Sequence, residues 1–149
     1  MKKLLVIFIM IVVFACFGNA AFISISGVDK LGSYTIEALQ ATVDFKPDTL
    51  DLESGGKYVT VYIELPSYDV DDIDISRIRL NNVVQAESTP TVIGDYDEDG
   101  IKDLMIKFDR TSVQRILSPG VQTIAVTGNI LDMPFFGMDT VSVIDKEEK

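Results

Sequence analysis

From Ala41 onward the chain alternates apolar and polar residues in short runs, the period-2 pattern of half-buried β-strands. Ala41 to Phe45 alternates and stops at Pro47. Leu50-Asp51-Leu52 alternates briefly, and Ser54-Gly55-Gly56 reads as a turn. The strongest run is Lys57 to Leu65. Val59, Val61, Ile63 and Leu65 share one face, and Tyr58, Thr60, Tyr62 and Glu64 share the other, before Pro66 ends the strand. Residues 69 to 76 are acidic and turn-like. Ile73 and Ile75 lie in one phase but Ile78 and Leu80 in the opposite one, so a bulge or tight turn is expected near Ser76, ahead of a strand from Arg77 to Leu80. Asn81-Asn82 signals the next turn. Thr91-Val92-Ile93 and Leu104 to Phe108 form a further strand pair. The spacing of Val113, Ile116 and Leu117 predicts one short helix, capped by Asp109 or Thr111 and stopped at Pro119-Gly120. Val121 to Thr127 and Thr140 to Ile144 alternate again, with Asp132-Met133-Pro134 as their connection.

Seven or so short strands with one helix predict an all-β fold, an antiparallel β-sandwich over residues 41–144. At near 100 residues it has the size of an immunoglobulin-like domain. With one cysteine and no tryptophan, the likeness is to that architecture and not to antibody domains. Residues 21–40 are weakly patterned and read as a linker or an added edge strand, and residues 145–149 as a charged, frayed tail.

The first 20 residues have a different character. Lys2 and Lys3 precede an apolar run of 11 residues, Leu4 to Phe14, and Gly18-Asn19-Ala20 offers small residues for cleavage before Ala21. That order of features is a signal peptide, and the run is short for a membrane span of about 20 residues. Val13-Phe14-Ala15-Cys16 also resembles a lipobox, in which Cys16 would carry lipid and become the first mature residue; an uncleaved anchor is a third reading. Each implies an exported protein, secreted or held at the cell surface. Without residues 1–20, eleven basic side chains face 23 acidic ones, a net charge of −12. This acidity argues against nucleic acid and against electrostatic docking on anionic lipid. Cys16 is the sole cysteine, so no intramolecular disulfide forms.

Catalytic chemistry is sparse. With no histidine in the chain, Ser-His and Cys-His nucleophiles and most zinc hydrolases are excluded, and no glycine-rich phosphate loop is present. A carboxylate pair of the glycosidase kind is the remaining option, and carboxylates are too plentiful here for a pair to carry weight, so the protein reads as a non-enzyme. A carbohydrate-binding module is the alternative role. Tyr58 and Tyr62 share a strand face about 14 Å apart and would be its aromatic strip, against the plainer reading that such rings merely cover a sheet.

One motif does carry chemistry. In Asp95-Tyr96-Asp97-Glu98-Asp99-Gly100-Ile101-Lys102-Asp103, aspartates stand at relative positions 1, 3, 5 and 9 with glycine at 6. Ca²⁺ takes six to eight oxygen ligands, and glycine permits the sharp turn that gathers them. Asp95, Asp97, Asp99 and Asp103 would supply carboxylates and Ile101 its backbone carbonyl, making Ca²⁺ the expected cofactor. The loop resembles the first part of an EF-hand, but position 12 is Ile106 in place of the bidentate glutamate. A strand follows, not a helix, so it is more similar to the DxDxDGxxD loops between strands of integrin-type propellers than to dockerin loops. The acidic run Asp69, Asp71, Asp72 and Asp74 lacks this spacing and reads as a solvated face.

Three stretches together resemble a β-sandwich module of exported archaeal and bacterial surface proteins: Ala41 to Leu50, Lys57 to Pro66 and Gly94 to Arg110. The resemblance spans most of residues 41–144 and implies an exported surface domain whose partner is a cell-surface protein or a glycan. Such modules often carry glycine after the aspartate near residue 132, where this chain has Met133.

Overall fold

The computed structural model describes residues 9–17, 20–29 and 32–146, with side chains from residue 37 to 146. The charged start of the expected export signal and the last three residues of the tail therefore lie outside the described residues. Twelve strands and one helix follow in order: β1 (Ile9–Phe17), β2 (Ala20–Asp29), β3 (Gly32–Gln40), β4 (Thr42–Lys46), β5 (Thr49–Asp51), β6 (Tyr58–Glu64), β7 (Arg79–Leu80), β8 (Val84–Gln85), β9 (Val92–Gly94), β10 (Asp103–Asp109), α1 (Arg110–Ile116), β11 (Gly120–Ile130) and β12 (Met133–Ile144). The larger sheet runs β1-β2-β3-β12-β11-β7-β8, with β5 also on β12, and the smaller runs β4-β6-β10-β9. The fold is a mostly β, sandwich-like pair of sheets. It departs from the expected purely antiparallel arrangement, because β3 and β5 both run parallel to β12.

The alternation read from the sequence becomes the core. Val43 and Phe45 of β4, Val59, Val61 and Ile63 of β6, and Leu104, Ile106 and Phe108 of β10 are buried together with Ile124, Val126 and Ile130 of β11 and Phe135, Val141 and Val143 of β12. Each such side chain contributes about 1.5–3 kcal/mol relative to exposure. Leu50 of β5 is fully buried in the same cluster. Helix α1 closes part of this core through Val113 and the following Leu117. Asp109 caps it as expected, its Oδ2 accepting from the Ser112 amide at 2.8 Å and the Ser112 hydroxyl at 2.7 Å. The phase slip near Ser76 is a 3-10 turn, Ile75–Arg77, capped by Asp74, so the following strand starts at Arg79 and not at Arg77.

The last two strands are longer than the alternation indicated. They pair from Gly120↔Val143 to Ile130↔Met133, and the connection is only Leu131-Asp132, with φ +46° and +66°. Met133 and Pro134, expected in the connection, belong to β12. Two positive φ values are those of a type I′ turn, which matches the strand twist but usually selects Asn-Gly or Asp-Gly. Gly137 of β12 is required by close approach: a Cβ there would lie 2.4 Å from Val43 Cγ2 and 2.6 Å from the Ala41 carbonyl oxygen. That contact lets β4 pass directly over β12.

Stretch 21–40, read as linker or edge strand, falls largely in β2 and β3, which pair along their length and join β12 at Phe135↔Leu39. Cys16 stands in β1 opposite Ala21, and its side chain lies outside the described ones. In the tail, Lys146 pairs with Asp51 at 2.7 Å.

Candidate metal centre

Strand pairing brings the smaller sheet's outer face to one end of the sandwich. The register sets Thr42, Glu64, Asp103 and Gly94 in one cross-strand row, and Asp44, Tyr62, Met105 and Val92 in the next. Residues 95–102 leave the sheet at Gly94 and return at Asp103, the first residue of β10. The loop's start and end are thus clamped by the pairing of Gly94 with Asp103.

Inside the loop the aspartates organise the backbone. Asp95 accepts from the amides of Asp99 (Oδ1, 3.1 Å) and Gly100 (Oδ2, 3.0 Å), Asp99 Oδ1 from the Ile101 amide (2.8 Å), and Asp103 Oδ2 from the Tyr96 amide (2.8 Å). Glu98 and Gly100 take left-handed φ values of +62° and +92°, the reversal for which glycine at position 6 was expected. These bonds curl the chain around its own carboxylates, and an ionised carboxylate keeps further acceptor sites beyond one or two such bonds.

Five carboxylates converge in two groups that share Asp97: Asp95, Asp97 and Asp103, and Glu64, Asp97 and Asp99. Within each group, one oxygen per residue lies within 4.8 Å of the others. All four predicted aspartates are therefore brought together, and either group can hold a metal ion. Ile101 follows Gly100 in the same turn and is half-buried.

Glu64 is the residue that sequence reasoning missed. It lies in the phase of β6 shared with Tyr58, Thr60 and Tyr62, a face to which the alternation gave no metal-binding role. Yet it is as buried as Asp103, the two being the buried charged residues of the described structure. The loop of residues 95–102 lies over that end of the sheet and puts Asp97 and Asp99 beside it. Desolvation is the main cause that raises the Glu64 carboxyl above its ordinary range, followed by the charges of Asp99, Asp103 and Asp97; a hydrogen bond with Thr42 opposes the rise. Asp103 is also raised, chiefly by desolvation, against the lowering effect of the Tyr96 amide. Among the described residues no lysine or arginine is ion-paired to any of the five carboxylates. Lys102, within the loop, points away to Asp69 and Asp71 at 3.5 Å each. The acidic turn 69–74 thus engages a lysine, and no carboxylate group suited to a metal forms there among the described residues.

The two predicted tyrosines meet different neighbours. Tyr58 lies at the far end of β6, opposite Asp109 and with the Lys57 ammonium 4.8 Å from its ring centroid. Tyr62 instead pairs with Tyr96 of the loop, ring centroids 4.7 Å apart and tilted by 51°. Tyr58 and Tyr62 stay on one face of β6, both half-buried, and Tyr96 of the loop joins Tyr62 there. The Tyr96 ring also folds over Gly94, where a Cβ would stand 3.3 Å from it. These rings and the acidic loop border a groove of about 260 Å³ lined by Thr42, Asp44, Lys46, Tyr62, Tyr96, Asp97 and Asp103. A larger cavity of about 460 Å³ runs between Leu39–Val43 and Leu65–Tyr68. It has no charged side chain in its lining, so the smaller groove is the one tied to the candidate chemistry. No helix among the described residues is long and apolar enough to cross a membrane. No family model, curated protein or solved structure matches this chain, and its chemistry rests on this geometry alone.

Proposed function

We propose that the protein is an exported, calcium-binding β-sandwich module with a structural or adhesive role at the cell surface. The observation that carries this reading is the convergence of Asp95, Asp97, Asp99, Asp103 and Glu64 with no lysine or arginine ion-paired to them among the described residues. A hard cation with flexible, oxygen-only coordination suits such a set, and Ca²⁺ suits it better than Mg²⁺, which demands a smaller octahedron and holds its water. The Ile101 carbonyl would complete the shell as position 7 of the motif. Bound in the loop, the ion would pin β9 to β10 at the sandwich end.

An immunoglobulin-like type for the sandwich is supported by strand order. The smaller sheet, β4-β6-β10-β9, corresponds to the A-B-E-D sheet of that architecture, and β12-β11-β7 to G-F-C. Export rests on the segment of residues 1–20, with lipidation at Cys16 as its variant. With no histidine in the chain and a groove this small, a binding or structural role is preferred to an enzymatic one. The partner is a cell-surface protein or glycan and not nucleic acid, given the acidic surface.

Isothermal titration of the purified protein with CaCl₂ tests the reading. Extracellular calcium modules bind at about 10⁻⁴–10⁻³ M. At a hundredfold excess over such a dissociation constant, linkage adds about 2.7 kcal/mol of stability. Asp95→Ala and Asp99→Ala should each remove the calcium-dependent rise in melting temperature, and Asp74→Ala should leave it intact. Absence of binding up to roughly 10 mM calcium, beyond the range of such modules, would refute it.

A further inference from the structure

We infer that the groove between the tyrosine pair and β4 binds a single neutral pyranose unit of a glycan, and that calcium in the adjoining loop holds the groove in its binding shape. The inference rests on the calcium reading above.

Its starting point is the groove and not the carboxylates as such. The Tyr62 and Tyr96 rings, in contact at 4.7 Å, give one border aromatic surface. Tyr96 is 44% exposed, so part of its ring is available to a ligand. At about 260 Å³ the space falls just below the roughly 300–1,000 Å³ that accommodates drug-sized ligands. One sugar ring fits that scale, and a folded polymer does not.

The remaining lining sets the chemistry. Asp44, Asp97 and Asp103 offer acceptors. Lys46 offers the one ammonium, and it is already held by Asp44 at 3.1 Å and Asp48 at 2.7 Å. An acceptor-rich groove with its cation engaged repels anions and favours a ligand rich in O–H donors. An aromatic wall favours a ligand with an apolar face. A neutral pyranose has both: a face of C–H groups to lie against a ring, and hydroxyls at its edge to donate to Asp44 and Asp97. A cationic side chain is the competing occupant, since tyrosine faces and carboxylates also attract ammonium and guanidinium groups. Calcium charge in the neighbouring loop would oppose that occupant and leave a neutral one unaffected.

The coupling to calcium follows from chain position. Tyr96 lies between Asp95 and Asp97, and its amide donates to Asp103. Three proposed ligands thus fix the residue that carries the exposed ring. Tyr62, on β6, is fixed by the sheet.

Two titrations test this on the purified protein. The first follows CaCl₂ alone. The second adds methyl glycosides of mannose, galactose, glucose and fucose, and separately a lysine-rich peptide, in calcium and in EDTA. At least one glycoside is expected to bind in calcium with a millimolar dissociation constant, more than tenfold more weakly in EDTA, and with no binding of the peptide in calcium. Tyr96→Ala should lose the glycoside while calcium binding is unchanged, and Tyr96→Phe, which keeps the ring, should retain both. Calcium binding with no glycoside bound, peptide binding in its place, or undiminished glycoside binding by Tyr96→Ala overturns the inference and leaves the metal reading standing. Absence of calcium binding overturns the metal reading and this inference with it.

Discussion

Replacing Glu64 with glutamine separates repulsion from ligation at the loop. The substitution keeps the side chain's shape and a hydrogen-bonding partner for Thr42, and removes one buried charge from a group that includes Asp97 and Asp99 within 4.8 Å. At that distance each pair of unit charges repels by about 0.9 kcal/mol at water's dielectric constant and about 3.5 kcal/mol at an effective constant of 20. Asp97 and Asp99 are exposed, so the lower figure governs, and these two pairs give about 2 kcal/mol, to which buried Asp103 on the facing strand adds. Glu64→Gln should therefore stabilise the metal-free protein by at least about that amount. For a chain of this size the expected rise in melting temperature is about 4–8 °C in EDTA. Calcium should have the opposite preference. Losing a ligand or an immediate neighbour of the ion should weaken calcium affinity tenfold or more, so the melting-temperature gain on adding calcium shrinks. The assay is thermal unfolding of wild type and variant in EDTA and in saturating calcium, with calorimetry for affinity. A lower melting temperature for the variant in EDTA would refute the reasoning, because Glu64 would then act through its hydrogen bond with Thr42 and not as a repelled charge.

Three further outcomes are expected. Leu131→Asn should raise the urea midpoint by an amount equivalent to about 1 kcal/mol, since Leu131 holds a left-handed φ of +46° that costs a branched side chain roughly 1–2 kcal/mol and asparagine less; Leu131 is 60% exposed, so little packing is lost. Gly137→Ala should destabilise by about 1–3 kcal/mol in the same assay, because its Cβ meets the Ala41 backbone at 2.6 Å and the two strands must separate. The pH profile should depend on metal. Glu64 and Asp103 have folded-state values raised above 4.5 and 3.8. Their stabilising effect is complete below those values and is lost as pH rises through the folded ones, so in EDTA the melting temperature should fall as pH rises above the ordinary carboxylate range. Saturating calcium, which binds the deprotonated forms, should abolish that fall. The lowered carboxyl of Asp109 acts on the other side, losing its contribution as pH drops below 3.8. A flat or rising profile in EDTA would contradict the assignment.

Features governed by local chemistry were legible in the sequence. The β6 pattern gave both faces of the strand, because each polar or apolar choice answers to its own side of the sheet. Asp109 as helix cap, the turn at Asn81-Asn82 and the loop glycine all depend on residues close in sequence. What depends on pairing between distant segments was not legible. The parallel contacts of β5 and β3 with β12 leave no mark in alternation. The β11–β12 hairpin hides its turn because Leu131-Asp132 takes the conformation of a type I′ turn without its usual residues, while Gly128 and Pro134 look like breaks. Gly128 in fact lies beneath Phe135, its register partner, where a Cβ would be 2.6 Å from the ring.

The same distinction decides what kind of site the loop makes. Four aspartates in a surface turn can remain separate in water, each screened, and need no ion. Glu64 changes that. It arises 31 positions before Asp95, on the strand face that carries Tyr58, Thr60 and Tyr62, and the β6–β10 register sets it directly opposite Asp103. Like charges facing each other across adjacent strands are destabilising, and here both are buried, which adds a desolvation cost. Such a pair can neutralise itself by taking up protons, which is the direction in which both carboxyls are shifted, or by taking up a cation. Protons serve only at acid pH. At neutral pH a metal ion held by these carboxylates would supply the compensation, as the proposed function requires. The buried cross-strand pair, more than the aspartate spacing, is therefore the argument for proposing a metal centre here and not an acidic hairpin tip.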